Sequence, residues 1–397
     1  MPDHREAVAS RASSRADDLM DALRWICFIL GIGIVMWTGS SVVRTLIVPR
    51  GLQSILPRTV ARNAIRLFLF IARRFETYEA RDKVLAFLAP TYLLALLSTW
   101  LILFLVGYSL LLWPFIGSFQ GSLLESGSSL FTLGFASTHA IAPTIIHFAA
   151  AATGLVVVAL LIGYLPTLYS AFNRRETVVT MLQSRAGAPA WGPELLFRYQ
   201  NVGLVPQLPL LYQEWERWAA DVAETHTNYP VLIYFRSPHP LRSWVLGLLA
   251  VMDSAAIYLA LCPTEAPTEA RLCLRMGFLC LRDIAEFLGI PFDPDPMPQD
   301  PIALTFEDFT AGLARLEEGG FPMERTPEEG WSHFRGWRVN YESVAYAIAN
   351  MVSAPPGPWS GPRDNLPGME IIPQRPANRT PERPGQKERP RGTGGGH

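Results

Sequence analysis

Lysine is almost missing from this sequence: Lys83 and Lys387 are the only two, and arginine carries nearly all the positive charge. Charge of either sign is sparse, at 17% of 397 residues, against about a quarter in ordinary soluble chains. The net charge is −1, so no global basic field exists to hold nucleic acid, and no nucleic-acid partner is expected. Cys27, Cys262, Cys273 and Cys280 form no C-x-x-C pair and have no histidine at zinc spacing. Cys273 and Cys280 are expected to share a helix face as small buried hydrophobes. The sequence also lacks H-E-x-x-H, G-x-S-x-G, the P-loop and G-x-G-x-x-G. No EF-hand loop and no regular arginine repeat of a voltage sensor is present. No enzyme, no metal centre and no organic cofactor is therefore expected.

What the chain has in excess is apolar sequence, 49% of all residues, concentrated in the first half. The reading that follows is an all-α membrane protein with three transmembrane helices, a re-entrant pore loop and a cytosolic helical domain. Residues 1–22 are polar with mixed charge and are expected to be a mobile tail. Residues 23–48 form the first transmembrane helix, since a span needs about 20 apolar residues. The long mixed-charge stretch before it and the lack of an A-x-A site argue against a signal peptide. Trp25 and Trp37 fit either interface anchors or lipid-facing filler. Residues 49–87 form a basic amphipathic segment. Ala61, Ala64, Ile65, Phe68, Leu69 and Ala72 recur at helical spacing opposite Arg62, Arg66 and Arg73. Such a helix lies on a membrane surface or packs on a soluble domain. Residues 88–172 form the pore module, with outer helix 88–113, pore loop 119–137 and inner helix 143–172. Residues 173–353 read as the cytosolic helical domain. Residues 354–397, with ten prolines, read as a disordered tail.

Charge orients the spans. Residues 44–87 hold nine basic and three acidic residues, and 114–142 hold no lysine or arginine. The positive-inside rule then places 44–87 and everything after 173 in the cytoplasm, with the amino terminus and the loop outside. The expected location is the inner (plasma) membrane, multi-pass. The loop from Ser126 to Ser137, S-G-S-S-L-F-T-L-G-F-A-S, is small, Gly-containing and uncharged. A short helix leading into T-L-G-F is suited to bring backbone carbonyls to a pore, where they replace an ion's hydration shell. Such a run needs dihedrals that Gly tolerates. Irregular backbone at membrane depth must be lined by protein or by a water-filled cavity. One loop per chain cannot close a ring, so four copies are implied.

Thr132-Leu133-Gly134-Phe135-Ala136 resembles the T-V-G-Y-G signature of pore-loop potassium channels, with Ser128 and Ser129 at the end of the pore helix. The outer helix, loop and inner helix resemble the two-span-plus-pore module. G-Y-S-L-L-L-W-P before the loop, Y-L-P-T-L-Y-S-A-F-N-R-R-E after the inner helix, and the segments E-T-H-T-N-Y-P-V-L-I-Y-F-R-S and G-W-R-V-N-Y-E-S are similar to bacterial ion-channel-like proteins. Those proteins carry an extra amino-terminal span and a helical cytosolic region. The resemblance covers roughly 23–350. It implies passive cation conduction, with potassium as the permeant ion, through a homotetramer in a lipid bilayer. It also implies that Thr132 supplies the innermost carbonyl and hydroxyl, with Leu133, Gly134 and Phe135 supplying the next rings. Ala136 stands where the family has its second Gly, and Ser137 where an Asp usually follows. A Cβ in a left-handed conformation costs about 1–2 kcal/mol.

Gly154, Gly163 and Pro166 are candidate gate hinges in the inner helix. Gly154 fits equally a site of close packing. His147 could contact the pore helix, titrate, or be structural. In the distal half, Leu241 to Leu261 is apolar enough for a fourth span, but Arg242 and Asp253 favour a buried helix of a bundle. Residues 290–301 carry five prolines and read as a linker. Glu224 and His226 are expected to join Arg236 or Asp253 in polar contacts, with His239 nearby. Two other functions stay open at this point. One is a non-conducting channel-like scaffold or sensor whose residues 173–353 bind a cytosolic partner. The other is a membrane-anchored enzyme acting through residues 185–350.

Overall fold

The computed structural model describes residues 3–48, 55–135, 140–366 and 368–373. Thirteen α-helices and no strand occur among the described residues. Helix α1 (Asp3–Leu46) is followed by α2 (Ile55–Ala72), α3 (Tyr78–Leu85), α4 (Leu88–Ile116), α5 (Phe119–Leu130) and α6 (Ile141–Ala186). The distal bundle comprises α7 (Gly192–Asn201), α8 (Leu208–Asn228), α9 (Trp244–Leu261), α10 (Thr268–Leu288), α11 (Phe306–Glu318), α12 (Pro327–Arg338) and α13 (Glu342–Met351).

Four helical stretches are long and apolar enough to cross a membrane: Asp17–Leu46, Tyr78–Ile116, Ile141–Ala186 and Trp244–Leu261. Burial separates them. The most apolar windows of the first three are 22%, 39% and 17% buried, whereas that of α9 is 100% buried. The first three therefore keep open apolar faces. Helix α9 is enclosed by its neighbours and has no face left for lipid.

Helix α1 crosses α4 at close range. A Cβ on Gly31 would lie 2.8 Å from the Gly107 carbonyl oxygen, and one on Gly107 would lie 2.8 Å from Val35 Cγ2. Small residues at facing positions let the two backbones meet. At the far end of this pair, Arg24 donates to the Gly117 carbonyl at 2.9 Å. Trp25 stands edge-on to Phe115 at 6.0 Å and is otherwise half open.

The expected mobile tail, 1–22, is helical from Asp3 onward and continuous with the first apolar helix. Alanine, leucine and methionine are strong helix formers there, and Arg24 pairs with Asp21 one turn away at 2.8 Å. The basic segment divides into two helices that pack differently. Helix α2 packs on α4, burying Leu56 and Ala72. Helix α3 turns to the distal bundle, where Tyr78 and Asp82 hold Arg236.

The inner helix passes its expected end at 172 without a break. Helix α6 spans 46 residues, about 69 Å at 1.5 Å per residue, against a hydrocarbon core of about 30 Å. Its second half carries Val179 and Leu182 into the core of the distal bundle. The outer helix likewise runs to Ile116, and Gly117 ends it in the left-handed conformation (φ 82°). The proline-rich stretch 290–301 carries no helix, as expected.

The expected disordered tail, 354–397, divides. Residues 354–366 and 368–373 are described, and much of this strap is buried in the bundle. Trp359 packs with Trp191, Phe309 and Phe334. Arg363 is fully buried and donates to the carbonyls of Ala354 (2.9 Å), Ser360 (2.8 Å) and Pro355 (3.2 Å). One guanidinium thus serves backbone carbonyls that a proline-rich segment cannot satisfy with its own N–H groups. Residues 374–397 lie outside the described residues.

Candidate functional site

Helix α5 is 12 residues long, about 18 Å, too short to cross a bilayer. It packs between α4 and α6. Ser118 caps its start by accepting the Gly121 N–H at 3.1 Å. Its buried seam is made of small hydroxyls, Ser122, Ser126 and Ser128, ending in Leu130. Ser126 donates to the Leu105 carbonyl of α4 at 3.1 Å. Small side chains admit close approach, and the hydroxyls of Ser122 and Ser126 donate to nearby carbonyls.

A second tie reaches α6. Ser129 Oγ lies 2.8 Å from His147 Nδ1, and His147 Nε2 lies 3.1 Å from Glu125 Oε2. An imidazole that donates from Nε2 to the carboxylate and accepts at Nδ1 from the hydroxyl satisfies both contacts. Tyr108 of α4 joins the same wall, its hydroxyl 2.7 Å from Thr153 Oγ1. Of the three roles open to His147, contact with α5 is the one the structure displays.

The carboxyl end of α5 rests on Gly154. A Cβ there would stand 2.0 Å from the Leu130 carbonyl oxygen, so no larger residue fits without displacement. Close packing is what this glycine provides. Gly163, by contrast, has nothing within 4 Å of an added Cβ. Pro166 lies inside α6, which continues as helix on both sides.

Helix α5 then ends in a Schellman turn. Leu133 N–H donates to the Ser128 carbonyl at 2.8 Å, and Thr132 N–H to that of Ser129 at 3.0 Å. Thr132 takes the left-handed place that Gly usually fills, with φ 54°, and Gly134 is left-handed at φ 78°. Leu133 and Phe135 do not share this sign, so handedness alternates from 132 to 135. The Phe135 N–H donates to Ser128 Oγ at 3.1 Å, folding the run back on the helix end. Among the described residues, no donor meets the carbonyls of Thr132, Leu133 or Gly134. Phe131 to Phe135 are all exposed in the single chain. Ala136 lies outside the described residues.

The candidate residues Thr132, Leu133, Gly134, Phe135, Ser128, Ser129 and Gly154 thus meet at one place, while Gly163 and Pro166 lie further along α6. Glu125 was not singled out from the sequence. Its signal is that it is the sole charged side chain between 114 and 142.

In the distal bundle the expected polar partners are re-sorted. Glu224 is exposed and bonds Asn228 at 2.8 Å. His226 instead accepts from Arg175 at 2.9 Å. Arg175 is fully buried and also donates to the carbonyls of Leu232 and Phe235, both at 2.7 Å. Arg236 pairs with Asp82, and Asp253 with Arg338 at 2.6 Å. His239 is exposed. The reason is chain path: α6 carries Arg175 to His226, and the segment after α13 carries the Val352 carbonyl to Arg236, which donates to it at 2.6 Å. Among the described residues, no three His, Cys, Asp or Glu side chains converge as a metal set. Cys273 and Cys280 are buried on α10, and burial pushes both thiols up.

Burial, with Arg175 beside it, pushes His226 well below its ordinary 6.5. The folded chain therefore refuses a proton that the unfolded chain accepts. This stabilisation is present above pH 6.5 and is lost as pH falls toward the folded pKa, at about 1.4 kcal/mol per pH unit. Denaturant titrations at pH 7 and pH 5 check it. The wild type is expected to lose more stability on acidification than His226→Gln, and equal losses would overturn the assignment.

No protein-family model matches the chain, and neither the curated proteins nor the solved structures hold a match to it.

Proposed function

We propose that the chain is the subunit of a pore-loop cation channel, with potassium as the permeant ion and four copies around one axis. Helices α1, α4 and α6 are the spans in this reading, α5 is the pore helix, and Thr132 to Phe135 form the filter. The observation that carries it is the end of α5. A half-length helix seated on Gly154 delivers a segment of alternating φ sign whose carbonyls at 132–134 meet no donor among the described residues. Unpartnered carbonyls at membrane depth need a cation or water to offset their desolvation. Four chains would supply rings of them, and electrostatic attraction to a dehydrated cation follows.

The basic stretch 44–87 sets α2, α3 and the distal bundle on the cytoplasmic side, with the loop outside. Helix α6 then links pore and bundle as one rigid rod, so a bundle movement would reach the inner pore through its continuous backbone. A partner of the bundle would act through that rod.

Potassium flux into liposomes containing the purified protein tests the reading. Gly134→Ala places a Cβ at φ 78°, which costs about 1–2 kcal/mol in the filter backbone. Flux is expected to fall by tenfold or more, with stability lowered by that backbone strain alone because no atom stands within 4 Å of the added methyl. Equal flux from the variant and the wild type, or no flux above empty liposomes, would sink the channel and leave the non-conducting scaffold.

A further inference from the structure

A cavity of about 660 Å³ opens where α1, α2, α4, α6 and the distal bundle meet. Its two sides differ in chemistry. One carries Arg44 at the end of α1 and Arg58, Arg62 and Arg66 on α2. The other is an apolar wall that includes Leu96 and Trp100 of α4 and Leu161 of α6. Glu286 is the single acidic residue of the lining, so the cavity is basic by three charges.

The three α2 arginines recur every four residues and so stand on one face. Like charges at that spacing destabilise a helix. None of the four arginines belongs to an ion pair among the described residues. They are exposed at the cavity mouth rather than spent on the protein's own carboxylates. From Tyr92 to Trp100 the α4 wall of the cavity extends two turns, about 12 Å, toward the membrane centre. An unspent basic rim above an apolar slot of that depth matches one amphiphile: an anionic head with a hydrocarbon tail.

We propose that this cavity binds an acidic glycerophospholipid of the cytoplasmic leaflet, its phosphate on Arg58, Arg62 and Arg66 and an acyl chain along Leu96, Trp100 and Leu161. The proposal rests on the membrane orientation given above but not on conduction. The bound lipid offsets the arginine repulsion along α2 and fastens α2 to α4. It also touches Asn228, Tyr234 and Met351, which line the same space from the distal bundle. Lipid composition thereby bears on the contact between the bundle and the spans.

The test is thermal unfolding of the full chain in a neutral detergent, titrated with phosphatidylglycerol, with phosphatidylcholine of the same acyl chains, and with inorganic phosphate. Phosphatidylglycerol alone is expected to raise the midpoint saturably. The triple variant Arg58→Gln/Arg62→Gln/Arg66→Gln is expected to bind it at least about tenfold more weakly. The matching triple Lys variant keeps the response, which separates loss of charge from loss of fold. Equal stabilisation by phosphatidylcholine would overturn the proposal, and so would equal stabilisation by free phosphate or a response that survives the Gln variant. Flux in liposomes is a separate readout. A lipid response without flux removes the pore reading alone, and flux without a lipid response removes this one alone.

Discussion

Gly154→Ala is expected to abolish potassium flux and to lower the stability of the membrane part by about 1–3 kcal/mol, the range for overpacking a tight contact. The added methyl would stand 2.0 Å from the Leu130 carbonyl oxygen, and that atom belongs to rigid helix backbone rather than a flexible side chain. Either α5 or α6 must shift by about 1 Å or more before the contact is ordinary. Thr132 lies two residues beyond Leu130, so any shift moves the filter candidates with it. Filters depend on carbonyl placement, and displacement at this scale dehydrates an ion poorly. Gly163→Ala is the matched comparison, because nothing stands within 4 Å of its added methyl. Measured side by side, Gly154→Ala should lose both flux and thermal midpoint while Gly163→Ala keeps its midpoint. Normal flux from Gly154→Ala would remove the seat of α5 from the mechanism.

Arg338→Met is expected to lower the stability of the distal bundle by about 3–5 kcal/mol, since it leaves buried carboxylates without their cation. Arg338 is fully buried between α9 and α13. It meets Asp253 at 2.6 Å and Glu342 at 2.9 Å, and it donates to the Trp359 carbonyl at 2.7 Å and the Tyr346 hydroxyl at 2.8 Å. Tyr341 completes the cluster by donating to Asp253 at 2.8 Å. Burial pushes the Asp253 carboxyl up to about 6 even against the pull of Arg338. Without Arg338 it rises further and takes a proton, which limits the loss to the range given. Denaturant titration followed by tryptophan emission reads the bundle directly, because Trp331 and Trp359 belong to the aromatic cluster beside Arg338. A variant within about 0.5 kcal/mol of the wild type, the scatter of neutral surface changes, would overturn the account.

Several parts of this arrangement were legible residue by residue. The apolar runs at 23–43, 88–113 and 143–172 each exceed what a soluble helix needs, so their length alone marked them as helices able to span. The short α5 was legible because the small, uncharged stretch from Ser126 lies between two such runs and reads as a short helix leading into T-L-G-F. The left-handed places at 132 and 134 were half legible. Gly134 announces its conformation, whereas Thr132 is placed there by the Schellman turn that closes α5. The role of Gly154 stayed open between hinge and contact, because a lone glycine reads alike in both until its neighbour is seen. Glu125 and His147 are 22 residues apart, and nothing local links them.

The chain's own order of residues determined that it is helical, that three stretches can span a membrane, and that basic charge gathers on one side of them. These are sums over neighbouring residues, and transfer free energy and helix propensity are additive along a chain. The tertiary structure decided the rest. It enclosed α9, whose apolar length would allow a span and for which Arg242 and Asp253 already favoured burial, because lipid exposure depends on what covers a helix. It carried α6 through residue 172 into the bundle. It folded 354–366 onto Trp191 and Phe309, since Arg363 supplies donors that prolines lack. It set the Leu130 carbonyl on Gly154 and left Arg44, Arg58, Arg62 and Arg66 around one cavity. Each is a meeting of residues distant in sequence, and pairwise packing has no one-dimensional sum.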